Sequence, residues 1–307
     1  MPDSASNVLI KAYTDTMLMR AQQKESRTRD WCEIKDGVRG ESISFDRVGL
    51  VEMTAKPSRF PPTPTSDPNM ERRWAQLATY QNGIPIDRDD IQAMAYDPMN
   101  KFTSAQAAAV GRQWDRLVLG ASLGTAVTGR VGEVGASLTG ATGTETWPVT
   151  DRFSVSHVIT ETGTVGLTPT KVRQTKQMMD ALQCENDRVF FIDSYGLYHL
   201  LGTVEYASQD YNTLKPLVDG ALAVRWMGFE WRMVDQSLMK MGAVYTSVLS
   251  AVAMVRGAVG LGISLDKFVR ISERADRSYE WESYVEMGGG AVRIDGERIV
   301  ECQYYAG

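Results

Sequence analysis

Histidine, cysteine and clustered acids are the side chains that most often carry chemistry, and this chain of 307 residues is sparing with all of them. It holds two histidines, His157 and His199, so any mechanism that needs an imidazole base must use one of these. Gly120-Ala121-Ser122-Leu123-Gly124 matches G-x-S-x-G, and Asp193 and His199 follow in the Ser–Asp–His order of a hydrolase built on a nucleophile elbow. A serine esterase using Ser122 is therefore one reading. The elbow needs a strand before the serine and a helix after it. Here the residues before Ser122 have helical period, and those after it include Gly129, Gly132 and Gly135. The local order is reversed.

The remaining candidates are weaker. Asp87, Asp89 and Asp90 lack the alternation, the sixth-position glycine and the twelfth-position glutamate of a calcium loop. They read instead as the start of a short helix, with Asp87 as cap, Asp90 three residues on, and Ile86 and Ile91 spaced as a staple. Gly257, Gly260 and Gly262 have the wrong spacing for a dinucleotide loop and fit small-residue helix packing better. Cys32, Cys184 and Cys302 are odd in number and far apart, which suits neither disulfides nor a metal pair. Cys184 has no nearby basic pair to make a reactive thiolate. The expectation is a chain with no catalytic residue, no cofactor and no metal.

Composition narrows the class further. Apolar residues are 43% and charged residues 23%, as in folded globular proteins. The net charge of −5 argues against gripping nucleic acid through a basic surface, because that mode needs Lys and Arg to displace counterions from phosphate. Enclosing nucleic acid is a different task and stays open. The N-terminus does not read as a secretory signal, and the most apolar window, Ala243 to Leu265, is broken by Arg256. A soluble chain without a membrane role is expected.

The elements that would position any site come in a distinctive order. Residues 7–29 read as a helical arm with a narrow stripe of Leu9, Tyr13, Met17 and Ala21, to be covered by its own core or by a neighbour. Residues 31–85 hold short strands around Asp36-Gly37 and Arg39-Gly40, then Pro57, Pro61, Pro62, Pro64 and Pro68. So few apolar anchors cannot make a core, so this excursion must lie along another surface, in the same chain or in a second subunit. Thr103 with Gln106 reads as a capping box opening the clearest helix, to Leu123. Its core face is Ala107, Val110, Trp114, Leu117, Val118 and Ala121, with Arg112, Asp115 and Arg116 toward solvent. Thr125 to Gly166 is rich in Gly, Thr and Ser. A helix starting at Thr168-Pro169, a buried strand Val189–Ile192, a short helix capped by Asp193, and strands on both sides of Gly228 follow. Residues 243–265 suggest a strand and a small-residue helix. The end of the chain suggests long strands interrupted at Gly288-Gly289-Gly290, with a hairpin at Asp295-Gly296.

This α+β order resembles the major capsid proteins of tailed phages, the Hong Kong 97-type or Johnson fold. The resemblance is carried by the excursion ending in Glu71-Arg72-Arg73-Trp74 and running to Ile86-Asp87-Arg88-Asp89-Asp90, and by the helix Thr103–Leu123. It continues in Leu167-Thr168-Pro169 through Val189-Phe190-Phe191-Ile192-Asp193 to Tyr198-His199-Leu200-Leu201, in Gly228-Phe229-Glu230-Trp231, and in Gly290-Ala291-Val292-Arg293-Ile294-Asp295-Gly296 to Glu301. It implies an N-terminal arm (1–30), an extended loop (31–85), a peripheral domain (86–167, spine helix 103–123, and returning strands 266–307) and an axial domain (168–265). It also implies self-assembly into pentamers and hexamers of an icosahedral head that encloses double-stranded DNA in the virion. Assembly would occur in the host cytoplasm with a portal, a scaffolding protein and decoration proteins as partners. An encapsulin-like bacterial compartment shares the fold and is the alternative. On position alone, Arg72, Arg73 and Trp74 at the loop base and Arg293 on the long strand are expected inter-subunit contacts, and Gly288, Gly289 and Gly290 an expected hinge.

Overall fold

The structure is a computed structural model. It describes residues 23–60, 62–63, 65–68, 70–86, 99–128, 149–151, 153–160, 165–184, 187–202, 225–239, 248–276 and 279–305. The apolar stripe of the arm, the cap at Asp87, most of the Gly/Thr-rich stretch after Thr128 and the strand expected at Leu222 and Val224 lie outside the described residues.

The core is centred on a six-stranded sheet. Its strands are β7 (Val158–Ile159), β8 (Arg188–Ile192), β9 (Arg225–Trp226), β10 (Phe229–Met233), β11 (Val248–Val255) and β14 (Ile299–Tyr305), in the order β7-β14-β11-β8-β10-β9. Every residue of β8 is buried, and Phe190 stacks on Trp231 at 4.5 Å and meets Phe229 edge-on at 5.5 Å. Met227 and Gly228, both at positive φ, make the turn from β9 to β10. Helix α2 (Pro169–Ala181) covers the sheet, with the Thr168 side chain accepting from the Lys171 N–H and Pro169 in the first turn. Helix α3 (Ser194–Leu201) is capped by Asp193, whose Oδ1 accepts from the Gly196 N–H at 2.8 Å and from the Tyr304 hydroxyl. Burial first, and Asp193 beside it, push the Tyr304 phenol up, so it stays a donor.

The second layer is a four-stranded sheet in the order β1-β12-β13-β4, made of β1 (Glu33–Asp36), β4 (Ala78–Ile86), β12 (Val259–Arg274) and β13 (Glu280–Arg293). Helix α1 (Met99–Leu123) lies on it. The helix starts four residues before Thr103, so Gln106 is not part of a capping box. Its amide instead donates to the Ser283 carbonyl at 2.9 Å and to Asn82 Oδ1 at 3.1 Å, while Ser283 Oγ donates back to Gln106 Oε1 at 2.7 Å. Trp114 and Val118 are buried, as the helical period predicts. Asp115, expected in solvent, is fully buried because residues 23–28 cover that side of the helix.

Three sequence expectations fail here. Residues 243–265 hold no helix among those described: β11 and β12 are both strands, and the bare backbone of Gly260 and Gly262 makes room for Phe45 and Ile43. β13 runs unbroken through Gly288–Gly290. A Cβ on Gly289 would lie 2.6 Å from the Trp114 ring, and one on Gly290 would overlap the Gln76 carbonyl, so these glycines permit close packing. Asp295-Gly296 is not a hairpin turn, since β13 pairs with β12 and β4 while β14 pairs with β11 and β7. It is a crossing between sheets beside the 255–259 crossing, and the Ile294 and Asp295 N–H groups both donate to the Ala258 carbonyl.

A third sheet, in the order β2-β3-β5-β6, comprises β2 (Ser42–Val48), β3 (Met70–Gln76), β5 (Ala126–Thr128) and β6 (Val149–Asp151). Its floor is Phe45, Ala75 and Ala126 packed on Val292 and Ile294. The excursion therefore docks on its own chain at the base, through these residues and the buried Trp31.

Candidate assembly surfaces

β2 and β3 form a register-perfect antiparallel pair from Ser42↔Gln76 to Val48↔Met70. Cross-strand charges brace it: Arg72 is bidentate on Asp46 at 2.6 and 3.0 Å and lies over the Trp74 ring at 5.7 Å. Arg47 bridges Glu71 and Asp295, each at 2.9 Å, which ties the hairpin to the sheet crossing. The Arg72 guanidinium holds the Asp46 carboxyl below the usual carboxylate range.

Beyond the paired strands the chemistry reverses. Residues 49–60 are exposed throughout and include Leu50 (99%), Met53 (99%) and Phe60 (88%) together with Val51. Large apolar side chains held this far from the core are a candidate contact surface. A second exposed strip lies on β12, where β1 ends opposite Ile263 and leaves Phe268, Val269 and Ile271 partly bare. Register shifts between Ile263, Leu265 and Phe268 put irregularities in β12 opposite Gly288 and Gly289.

The other predicted site residues distribute as follows. Arg72 is exposed and Trp74 half-buried on the hairpin, but Arg73 is buried and pairs with Glu71 at 3.0 Å. Arg293 is 1% exposed. It donates to the Gly124 carbonyl at 2.7 Å and lies over the Phe153 ring at 5.3 Å. Both face inward: Arg293 meets carbonyls at the C-terminal end of α1 that lack helical donors, and Arg73 sits in β3 between its cross-strand neighbours Phe45 and Thr128. Within this chain both guanidinium groups are buried, so neither is exposed on the subunit surface. Ser122 is buried in the last turn of α1 and donates to the Leu119 carbonyl at 2.7 Å, so the nucleophile elbow is absent there. Burial pushes the Cys32 and Cys184 thiols up, away from the thiolate. Among the described residues no three His, Cys, Asp or Glu side chains converge as a metal site, and no helix is long and apolar enough to cross a membrane.

The sequence matches the family described as phage capsid protein over residues 5–305. The chain belongs to that family. No curated protein matches it. Among solved structures it is similar to the capsid of cyanophage P-SCSP1u, at 13% identity over 97% of this chain and 93% of that chain, with a TM-score of 0.69. The capsid of Helicobacter pylori bacteriophage KHP30 matches at 8% identity over 99% and 98%, with a TM-score of 0.68. The capsid of Ralstonia phage GP4 matches at 13% identity over 95% and 94%, with a TM-score of 0.65. At these identities the likeness is one of fold, and that fold is the Hong Kong 97 type.

This member of the phage capsid protein family is a major capsid protein, a building block of the phage head shell. The family match favours the virion over the compartment alternative. Sequence reading missed two features of the capsid subunit. The bare tip of the excursion was visible as Leu50, Val51, Met53 and Phe60 in a segment without helix or strand period, next to prolines. The buried Asp115 left no local signal, because its cover comes from residues 88 positions away.

Proposed function

We propose that the subunit assembles into pentamers and hexamers of a closed head that encloses double-stranded DNA. The arm and the tip of the 42–76 hairpin clamp neighbouring subunits. The observation that carries this reading is the row of exposed apolar side chains at Leu50, Val51, Met53 and Phe60, on a hairpin whose base is anchored by Phe45 and Ala75. Full burial of one such side chain is worth about 1.5–3 kcal/mol. Several of these contacts per subunit, multiplied by closure, hold a shell without any one strong interface.

The remaining assignments follow from that reading. Arg72 and Trp74, at the root of the clamp, flank the contact. The long strand flexes at the irregularities of β12 opposite Gly288 and Gly289 as capsomers change shape. An acidic chain serves as a container for DNA rather than a grip on it. No catalytic role is assigned, and a portal, a scaffolding protein and decoration proteins are the partners of a head assembled in host cytoplasm and kept in the virion.

The test is deletion of residues 49–66 with a short turn in their place, which keeps β2 paired with β3. A folded subunit that no longer forms closed particles is expected. Normal particles would sink the clamp. Particles carrying a cargo enzyme rather than DNA would instead favour the encapsulin-like alternative.

A further inference from the structure

Asp115 lies within the spine helix α1, yet its carboxylate faces the chain that leads into the N-terminal arm. Oδ1 accepts from Ser26 Oγ at 2.6 Å, the Arg27 N–H at 2.9 Å, the Thr28 N–H at 3.1 Å and Thr28 Oγ1 at 2.9 Å. Oδ2 accepts from the Gln23 side-chain amide and from the Arg27 N–H at 3.3 Å. One turn earlier Gly111 leaves room for the same segment, since a Cβ there would lie 3.0 Å from the Ser26 nitrogen. Arg112 adds a bond to the Gln23 carbonyl at 3.3 Å, and Arg27 reaches the Met233 carbonyl.

Residues 23–28 are Gln, Lys, Glu, Ser, Arg and Thr, with no apolar side chain among them. The segment is therefore held by polar groups converging on one buried carboxylate, whereas Trp31 just downstream is locked in the apolar core. Charge-assisted bonds of this kind are strong and directional, so they set position as well as energy. The docked segment is the C-terminal end of the arm; it is not helical, unlike the helix expected over 7–29, and it is separable from the core behind it.

We propose that Asp115 is a positioning residue for shell assembly: its carboxylate latches residues 23–28, the end of the N-terminal arm, to the spine helix of its own subunit. This rests on the arm-and-loop reading of assembly. With that end already held, fewer arm residues have to be ordered when the arm meets a neighbour, which lowers the ordering cost of that contact.

The test is limited trypsin digestion of the full chain, read by mass spectrometry at the bonds after Lys24 and Arg27, with negative-stain microscopy in parallel. Asp115→Ala, and Gly111→Leu as a variant that keeps the carboxylate but pushes the segment away, are expected to speed both cleavages by roughly tenfold or more through local opening. Both should give fewer closed shells. The double variant Gln23→Glu with Asp115→Asn, in which amide and carboxylate exchange places, should regain protection relative to Asp115→Asn alone. If Asp115→Ala does not fold, Gly111→Leu decides. Cleavage at the wild-type rate in Gly111→Leu would overturn the latch, and unlatched variants that assemble as well as wild type would overturn its positioning role. Wild-type chain that forms no shells would count against the shell reading, while the trypsin rates would still decide the latch.

Discussion

The six-stranded sheet and the tip of the 42–76 hairpin use apolar residues to opposite ends. In β8 all five residues are buried, and Phe190, Phe229 and Trp231 pack face and edge inside one subunit. In residues 49–60 the side chains of Leu50, Met53 and Phe60 face solvent, and the cross-strand pairs that hold the hairpin lie below them. One region completes the subunit, and in the proposed assembly the other is completed by a neighbour. Stability and assembly should therefore respond to different substitutions, and each prediction below strains that division.

The largest effect on stability belongs to the sheet. Phe190→Ala should lower the unfolding free energy by about 3–5 kcal/mol, measured by denaturant melts, because it removes a ring with partners on two sides. Next is Gly290→Ala, whose methyl group would overlap the Gln76 carbonyl and force β13 from the β3–β4 corner. A loss of about 1–3 kcal/mol is expected from such overpacking, and a neutral result would mean that the glycines are there for bending rather than for packing.

Arg293→Met should cost about 1.5–3 kcal/mol by leaving the Ser122 and Gly124 carbonyls without their charged donor. If it instead blocked assembly of a subunit with unchanged stability, the inward role of Arg293 would be wrong. The smallest effect is electrostatic. Arg72 holds the Asp46 carboxyl below its ordinary range, so the pair adds stability above that range and loses it as pH falls through the lowered value. Both groups are exposed, so the contribution is small and screened by salt. Asp46→Asn should slightly flatten the fall in stability between about pH 5 and pH 2, most visibly at low ionic strength.

What was legible in the sequence follows the same physical line. The cap at Thr168 with Pro169, the buried run Val189–Ile192, the Asp193 cap and the Gly228 turn each depend on residues a few positions apart, and each stands where expected. Gly260 and Gly262 were misread as a helix because small residues fit either state, and the deciding partners, Phe45 and Ile43, lie over 200 residues away. The Asp295-Gly296 signal is locally that of a hairpin, but the strand after it joins a different sheet. For the candidate surfaces, the excursion was visible as a segment without a core of its own. The inward turn of Arg73 and Arg293 was not, since it is set by parts of the chain far away in sequence, the strands holding Phe45 and Thr128 for Arg73 and the Gly124 carbonyl for Arg293.

The most direct test of the division is a single comparison, wild type against Leu50→Ser/Met53→Ser/Phe60→Ser, by light scattering of the assembled preparations and by denaturant melts of the dissociated subunits, so that association does not enter the stability. The account predicts a subunit unfolding free energy unchanged within about 0.5 kcal/mol, as for surface substitutions, together with loss of the megadalton particles formed by wild type. Full-size shells from the triple variant, or a subunit less stable by several kcal/mol where surface substitutions cost under about 0.5, would contradict it.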